Sequence, residues 1–161
     1  GCLNSEKIRK LILNNKVTFN KNTDLLLYLA SRSENISILK KYYQKKIILI
    51  DRFTDSTIAY QHYGMGLNVD FISFINKYLL KNIKVGFTFL HLVNSNNIKK
   101  RLLKRKNLNR YDKFKMTFYN KVQNGYIKLA NRNKNKYLKI NSNLSISSNK
   151  KIIINEIKKI I

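Results

Sequence analysis

The stretch Ile47–Leu67, IILIDRFTDSTIAYQHYGMGL, changes character at a single residue. Four consecutive apolar side chains, Ile47 to Ile50, show no polar alternation, the pattern of a strand buried on both faces. Asp51 ends that run, and from about Ser56 the pattern becomes helical. An Asp followed by an Arg at a strand terminus offers a carboxylate for Mg2+ or a catalytic lysine beside a guanidinium fork for phosphate. The plainer alternative for Asp51 and Arg52 is a local ion pair that closes the strand.

Working outward, the same alternation recurs. Phe87 to Val93 reads as a second buried strand and Tyr137 to Ile140 as a third. Helices are predicted over 5–14 with Ser5 as a possible cap, 24–44 capped by Thr23, 69–81, 96–104, 112–131 and 149–161. Strands separated by helices predict an α/β chain: a parallel sheet with helices on both sides and ligands gathered beyond the carboxyl ends of the strands. No internal repeat or linker interrupts the 161 residues, so one domain is expected.

Composition narrows the function. Thirty-three Lys+Arg against eight Asp+Glu leave a net charge of +25, and the pI is about 10.2. Such a balance suits a nucleic-acid partner. However, proline and tryptophan are absent, glycine is at five, and Lys, Asn, Ile and Tyr abound, the signature of A/T-biased coding. Arginines kept against that bias are therefore better clues than lysines. One Cys and two His cannot build a zinc cluster or an internal disulfide. Mean hydropathy is −0.38 and the apolar runs are too short to span a bilayer. With no secretory pattern at the N-terminus, a reducing, cytoplasmic setting is the default.

The stretch 50–67 resembles the D-R-(Y/F)-x-D-S-x-x-A-Y-Q-x-x-G-x-G-L segment of bacterial thymidylate kinases, which phosphorylate dTMP to dTDP with ATP. Gly1 to Leu13, Asp24 to Arg32, Arg105 to Asp112 and Val122 to Ala130 are similar, in order, to further segments of that family. The resemblance implies a P-loop kinase-type three-layer α/β/α fold, a single nucleoside-monophosphate-kinase domain over 1–161 with a lid at about 101–112, ATP and Mg2+ as cofactors, and a homodimer.

Its residue roles carry over as follows. Tyr28 stands where an aromatic stacks on thymine, with Arg32 bonding the base and Thr57 and Gln61 approaching its edge. Arg9 and Arg52 match the arginines that hold the dTMP phosphate, and Tyr60 the tyrosine that packs under the deoxyribose. Arg101, Arg105 and Arg110 sit where lid arginines close over the ATP phosphates. Asp51 is the carboxylate on the Mg2+ or catalytic-lysine side. Asn109 with Asp112 reads as an N-cap pair rather than a catalytic acid. Asp55 reads as a cap, and His62 and His91 as bystanders. No G-x-x-x-x-G-K-(S/T) phosphate loop occurs in the chain. The resemblance thus implies that the chain corresponds to about the last three-quarters of such an enzyme, lacks the first two strands, and by itself is inactive and folds poorly. The competing readings are another nucleotide or nucleoside kinase of this fold and a basic nucleic-acid-binding protein of ribosomal type.

Overall fold

A computed structural model describes residues 1–161. Helix α1 spans Leu3–Leu13 and α2 spans Lys21–Tyr42. Neither starts on the expected cap. Ser5 lies inside α1, fully buried, with its hydroxyl 2.9 Å from both the Cys2 carbonyl oxygen and Asn35 Oδ1, so it ties α1 to α2. The cap of α2 is Asn20, whose side chain accepts the Thr23 N–H at 2.9 Å. Thr23 is the residue being capped.

A short turn, α3 (Thr54–Thr57), runs without a break into a π-helix over Ile58–Gly64. Helix α4 (Val69–Leu80) follows, capped by Asn68, and then strand β1 (Thr88–Leu92). Helix α5 (Ser95–Leu103), a 3-10 turn at Arg110–Lys113 and α6 (Met116–Arg132) form the crossover to β2 (Tyr137–Asn141). Helix α7 (Ile146–Ile160) closes the chain, with Ser145 accepting from the Ser148 N–H.

The sheet is smaller than the sequence predicts. β1 and β2 pair in parallel, in register from Thr88 opposite Tyr137 to Leu92 opposite Asn141. Residues 47–50 form no strand. A strand exists only against a hydrogen-bonding neighbour, and none lies beside this run, so Leu49 is 86% exposed and Ile47 69%. The expected three-stranded sheet is a two-stranded one, with one edge of β1 unpaired. No helix is long and apolar enough to cross a membrane.

Packing is therefore carried by helices. Ile12, Ala59, Tyr111, Phe118 and Val122 form one buried cluster joining α1, the π-helix, the 3-10 turn and α6. Leu25, Leu29 and Ile72 form a second between α2 and α4. Two glycines set the distance between the π-helix and α6. A Cβ on Gly125 would fall 2.5 Å from Tyr63 Cδ2, and one on Gly64 would fall 2.6 Å from Phe118 Cε2. Each element thus receives an aromatic ring from the other at a position without a side chain.

Gly125→Ala should cost about 1–3 kcal/mol by forcing Tyr63 and its helix off α6. Urea denaturation checks this, and Gly125→Ala combined with Tyr63→Ala should be less destabilising than the sum of the two single changes.

Candidate active site

The residues singled out in the sequence lie on elements that face one another. Tyr28 and Arg32 are one turn apart on α2, so they share a face. Thr57 ends α3, and Tyr60 and Gln61 follow in the π-helix. The two elements are stitched directly: Arg32 Nη2 donates to Thr57 Oγ1 at 2.6 Å. The Arg32 guanidinium also lies 5.3 Å from the centre of the Phe53 ring. Its Nε is buried without a partner, as is Nε2 of Gln61, itself only 2% exposed.

Arg32 belongs to no ion pair, and its burial lowers its pKa from the usual guanidinium range to about 10, Tyr126 and Asp55 opposing that trend. It remains a cation at neutral pH. Burial likewise pushes Tyr28 upward, and Tyr126 up to about 12, where its hydroxyl donates to Ser56 Oγ at 2.6 Å.

Arg52 precedes this cluster with a left-handed backbone, φ 62°, uncommon for a residue with a side chain. Its Nη1 donates to the Tyr60 hydroxyl at 2.9 Å, and its guanidinium lies 5.3 Å from the centre of that ring. Tyr60 is also part of the packed core: its ring meets Tyr111 at 6.1 Å and Phe118 at 5.9 Å, edge to face. Asp51 is exposed, at the end of the unpaired run 47–50 rather than at the end of a strand.

Other expected residues stand elsewhere. Arg9 is 62% exposed on α1 and pairs with Glu6 in its own helix. The three arginines expected in a lid do not converge. Arg101 donates to the Ser142 carbonyl oxygen at 2.8 Å, Arg105 pairs with Asp112 at 2.6 Å, and Arg110 pairs with Asp24. A guanidinium carries five donors and takes the acceptors nearest to it. Asn109 and Asp112 form a capping box on the 3-10 turn, as their spacing predicts. Asp55 caps nothing; it accepts from the Tyr137 hydroxyl, linking α3 to the start of β2. Sequence reasoning missed Asp24, Phe53, Tyr111 and Tyr126. Asp24 was within reach, four residues before Tyr28 on the same helix face.

A divalent cation finds no protein cage, because no three His, Cys, Asp or Glu side chains come together. Asp51 offers a single exposed carboxylate, which suits Mg2+ shared with substrate phosphates.

The chain as a whole has counterparts among known proteins. The sequence model of thymidylate kinase matches residues 1–153. The chain is 34% identical to a thymidylate kinase of Acholeplasma laidlawii, over 99% of this chain and 80% of that one. The chain belongs to the thymidylate kinase family.

A thymidylate kinase of Thermosipho africanus is 37% identical over 81% of this chain, and the alignment spans 65% of that relative. The chain therefore spans from about two thirds to four fifths of the length of these two relatives. In three dimensions it superposes on the thymidylate kinase of Ehrlichia chaffeensis with a TM-score of 0.69 at 28% identity, covering 91% of this chain and 67% of the other. The fold is thus that of the thymidylate kinases. Members of the family are phosphotransferases acting on dTMP.

Because Arg32 is buried without a carboxylate, Arg32→Met should be as stable as the wild type at pH 8, within about 1 kcal/mol. The sign with pH follows from the lowered pKa. The unfolded chain holds this proton to higher pH than the folded one, which sheds it near 10. The cost of the buried charge is present below pH 10 and fades as pH rises above it. Urea titrations should show the wild type gaining on Arg32→Met between pH 9 and 11; a wild type that loses ground would contradict the assignment.

Proposed function

We propose that this chain binds dTMP between α2 and the π-helix and serves transfer of the γ-phosphoryl group of ATP to it, with Mg2+. One observation carries the reading: Arg32 Nε and Gln61 Nε2 are buried, on facing elements, with no acceptor in the protein. A buried polar group left unpaired costs about 1–3 kcal/mol. The carbonyl edge of a pyrimidine supplies the missing acceptors, and Tyr28 supplies a ring for stacking.

Arg52 then takes the phosphate. Its guanidinium is held against Tyr60 and presents the planar fork that suits a phosphate dianion. Tyr60, fixed by Arg52 above and Tyr111 beside it, fills the space under the sugar and leaves little room for a 2′-hydroxyl. Asp51 would hold Mg2+, which supplies charge neutralisation between the two phosphate groups. Arg101 and Arg105 are exposed and exchange protein acceptors for phosphate at small cost. The chain has no glycine-rich backbone cradle for the ATP phosphates, so its own contribution is to the monophosphate side and to the lid. This reading calls for no nucleic-acid or membrane partner, and it places the chain in the cytoplasm.

The pairing with a second copy is supported by α4. Phe71, Phe74 and Tyr78 recur at helical spacing on its outer face, with Phe74 65% and Tyr78 66% exposed. Sedimentation should find a dimer that Phe74→Glu dissociates.

Calorimetric titration with dTMP tests the site. Arg52→Ala should lose about ten- to a hundredfold in affinity, the worth of a charge-assisted hydrogen bond of roughly 1.5–3 kcal/mol. Tyr60→Ala should narrow the preference for dTMP over its ribonucleotide. Unchanged dTMP affinity in Arg52→Ala, or a wild type that binds dUMP, AMP and dTMP alike, would overturn the assignment.

A further inference from the structure

Asp24 is 4% exposed at the start of α2, yet both its carboxylate oxygens are engaged across the molecule. Oδ1 pairs with the Arg110 guanidinium, and Oδ2 accepts the Tyr111 hydroxyl at 3.1 Å. Arg110 is enclosed as well, its guanidinium 5.4 Å from the centre of the Phe19 ring and 5.2 Å from that of Tyr111. Tyr111 in turn stands between the two aromatics of the nucleotide pocket, edge to face with Tyr28 at 5.8 Å and with Tyr60 at 6.1 Å. On its other side begins the exposed loop that carries Arg105, fastened by the Arg105–Asp112 pair and the Asn109–Asp112 capping box.

A buried ion pair is weak grounds for stability, since well-packed apolar side chains replace such pairs at little or no loss. What it supplies here is direction. Two residues 86 positions apart in sequence are set in one orientation, and the ring that follows them is the wall shared by Tyr28 and Tyr60. Arg110, buried and paired, is the root of the lid rather than its moving part.

We propose that Asp24 is a positioning residue: through Arg110 and Tyr111 it fastens the root of the arginine-bearing loop to the wall of the nucleotide pocket, coupling the loop's order to monophosphate binding. The coupling rests on the dTMP-binding reading above; the fastening does not.

The test uses the full chain and the double change Asp24→Asn with Arg110→Met, which removes the ion pair without leaving a buried unpaired cation. Hydrogen exchange at residues 109–114 is the first readout, at matched melting temperature. A loss of protection of tenfold or more there, with α6 unchanged, supports the fastening; unchanged protection overturns it. The second readout is dTMP affinity, with Tyr111→Phe as the conservative variant that keeps the ring. At least a fivefold loss in the double variant, and a smaller loss in Tyr111→Phe, supports the coupling. Lost protection with unchanged affinity overturns the coupling. A wild type that fails to bind dTMP overturns the functional reading and the coupling with it, while the exchange result still decides the fastening.

Discussion

The site depends on how closely the π-helix approaches α6. Gly64 and Gly125 remove the two side chains that would hold these elements apart, and Phe118 and Tyr63 occupy the space each glycine leaves. That contact fixes the rotation of the π-helix, and so the direction in which Thr57, Tyr60 and Gln61 leave the backbone. Everything facing them is then placed by reciprocal contacts: Arg32 from α2, Arg52 from the preceding turn, Tyr111 from the 3-10 turn. The sheet contributes little to this. Its two strands anchor the far ends of the crossover, and the link from sheet to site runs through Tyr137 and Asp55.

In a molecule with a net charge of +25, two arginines stand apart from the solvent-exposed cations. Lys99, Lys100, Lys104 and Lys106 are exposed, as the composition suggested, and nothing distinguishes them from solvated surface. Arg32 and Arg110 are enclosed by aromatic rings, Arg110 with a carboxylate and Arg32 without one. Arginine tolerates this better than lysine because its delocalised charge is weakly hydrated and stacks on ring faces.

Local signals read well from sequence and relational ones less so. The helices appeared within a few residues of their observed bounds, and the Asn109–Asp112 cap was legible because its chemistry is complete within four residues. The caps of α1 and α2 were misplaced because Ser5 and Thr23 have the right chemistry in the wrong geometry; Ser5 spends its hydroxyl on Asn35, a partner 30 residues away. The run Ile47–Ile50 has the composition of a buried strand, but composition cannot provide the neighbour a strand requires. Tyr28, Arg32, Thr57, Tyr60 and Gln61 lie on two short contiguous motifs, which the structure sets facing each other. The arginines at 101, 105 and 110 look alike in sequence and have three different surroundings, set by Ser142, Asp112 and Asp24.

The π-helix carries one further consequence. Its carbonyls are bonded five residues on, as in the Met65 N–H to the Tyr60 oxygen at 3.1 Å, so each turn accommodates an extra residue. Substitutions within 58–64 change the chemistry of single positions. A one-residue deletion would let the segment relax to an ordinary α-helix and redirect the side chains inside it. The length of this segment therefore constrains the site more than the identity of any one side chain in it.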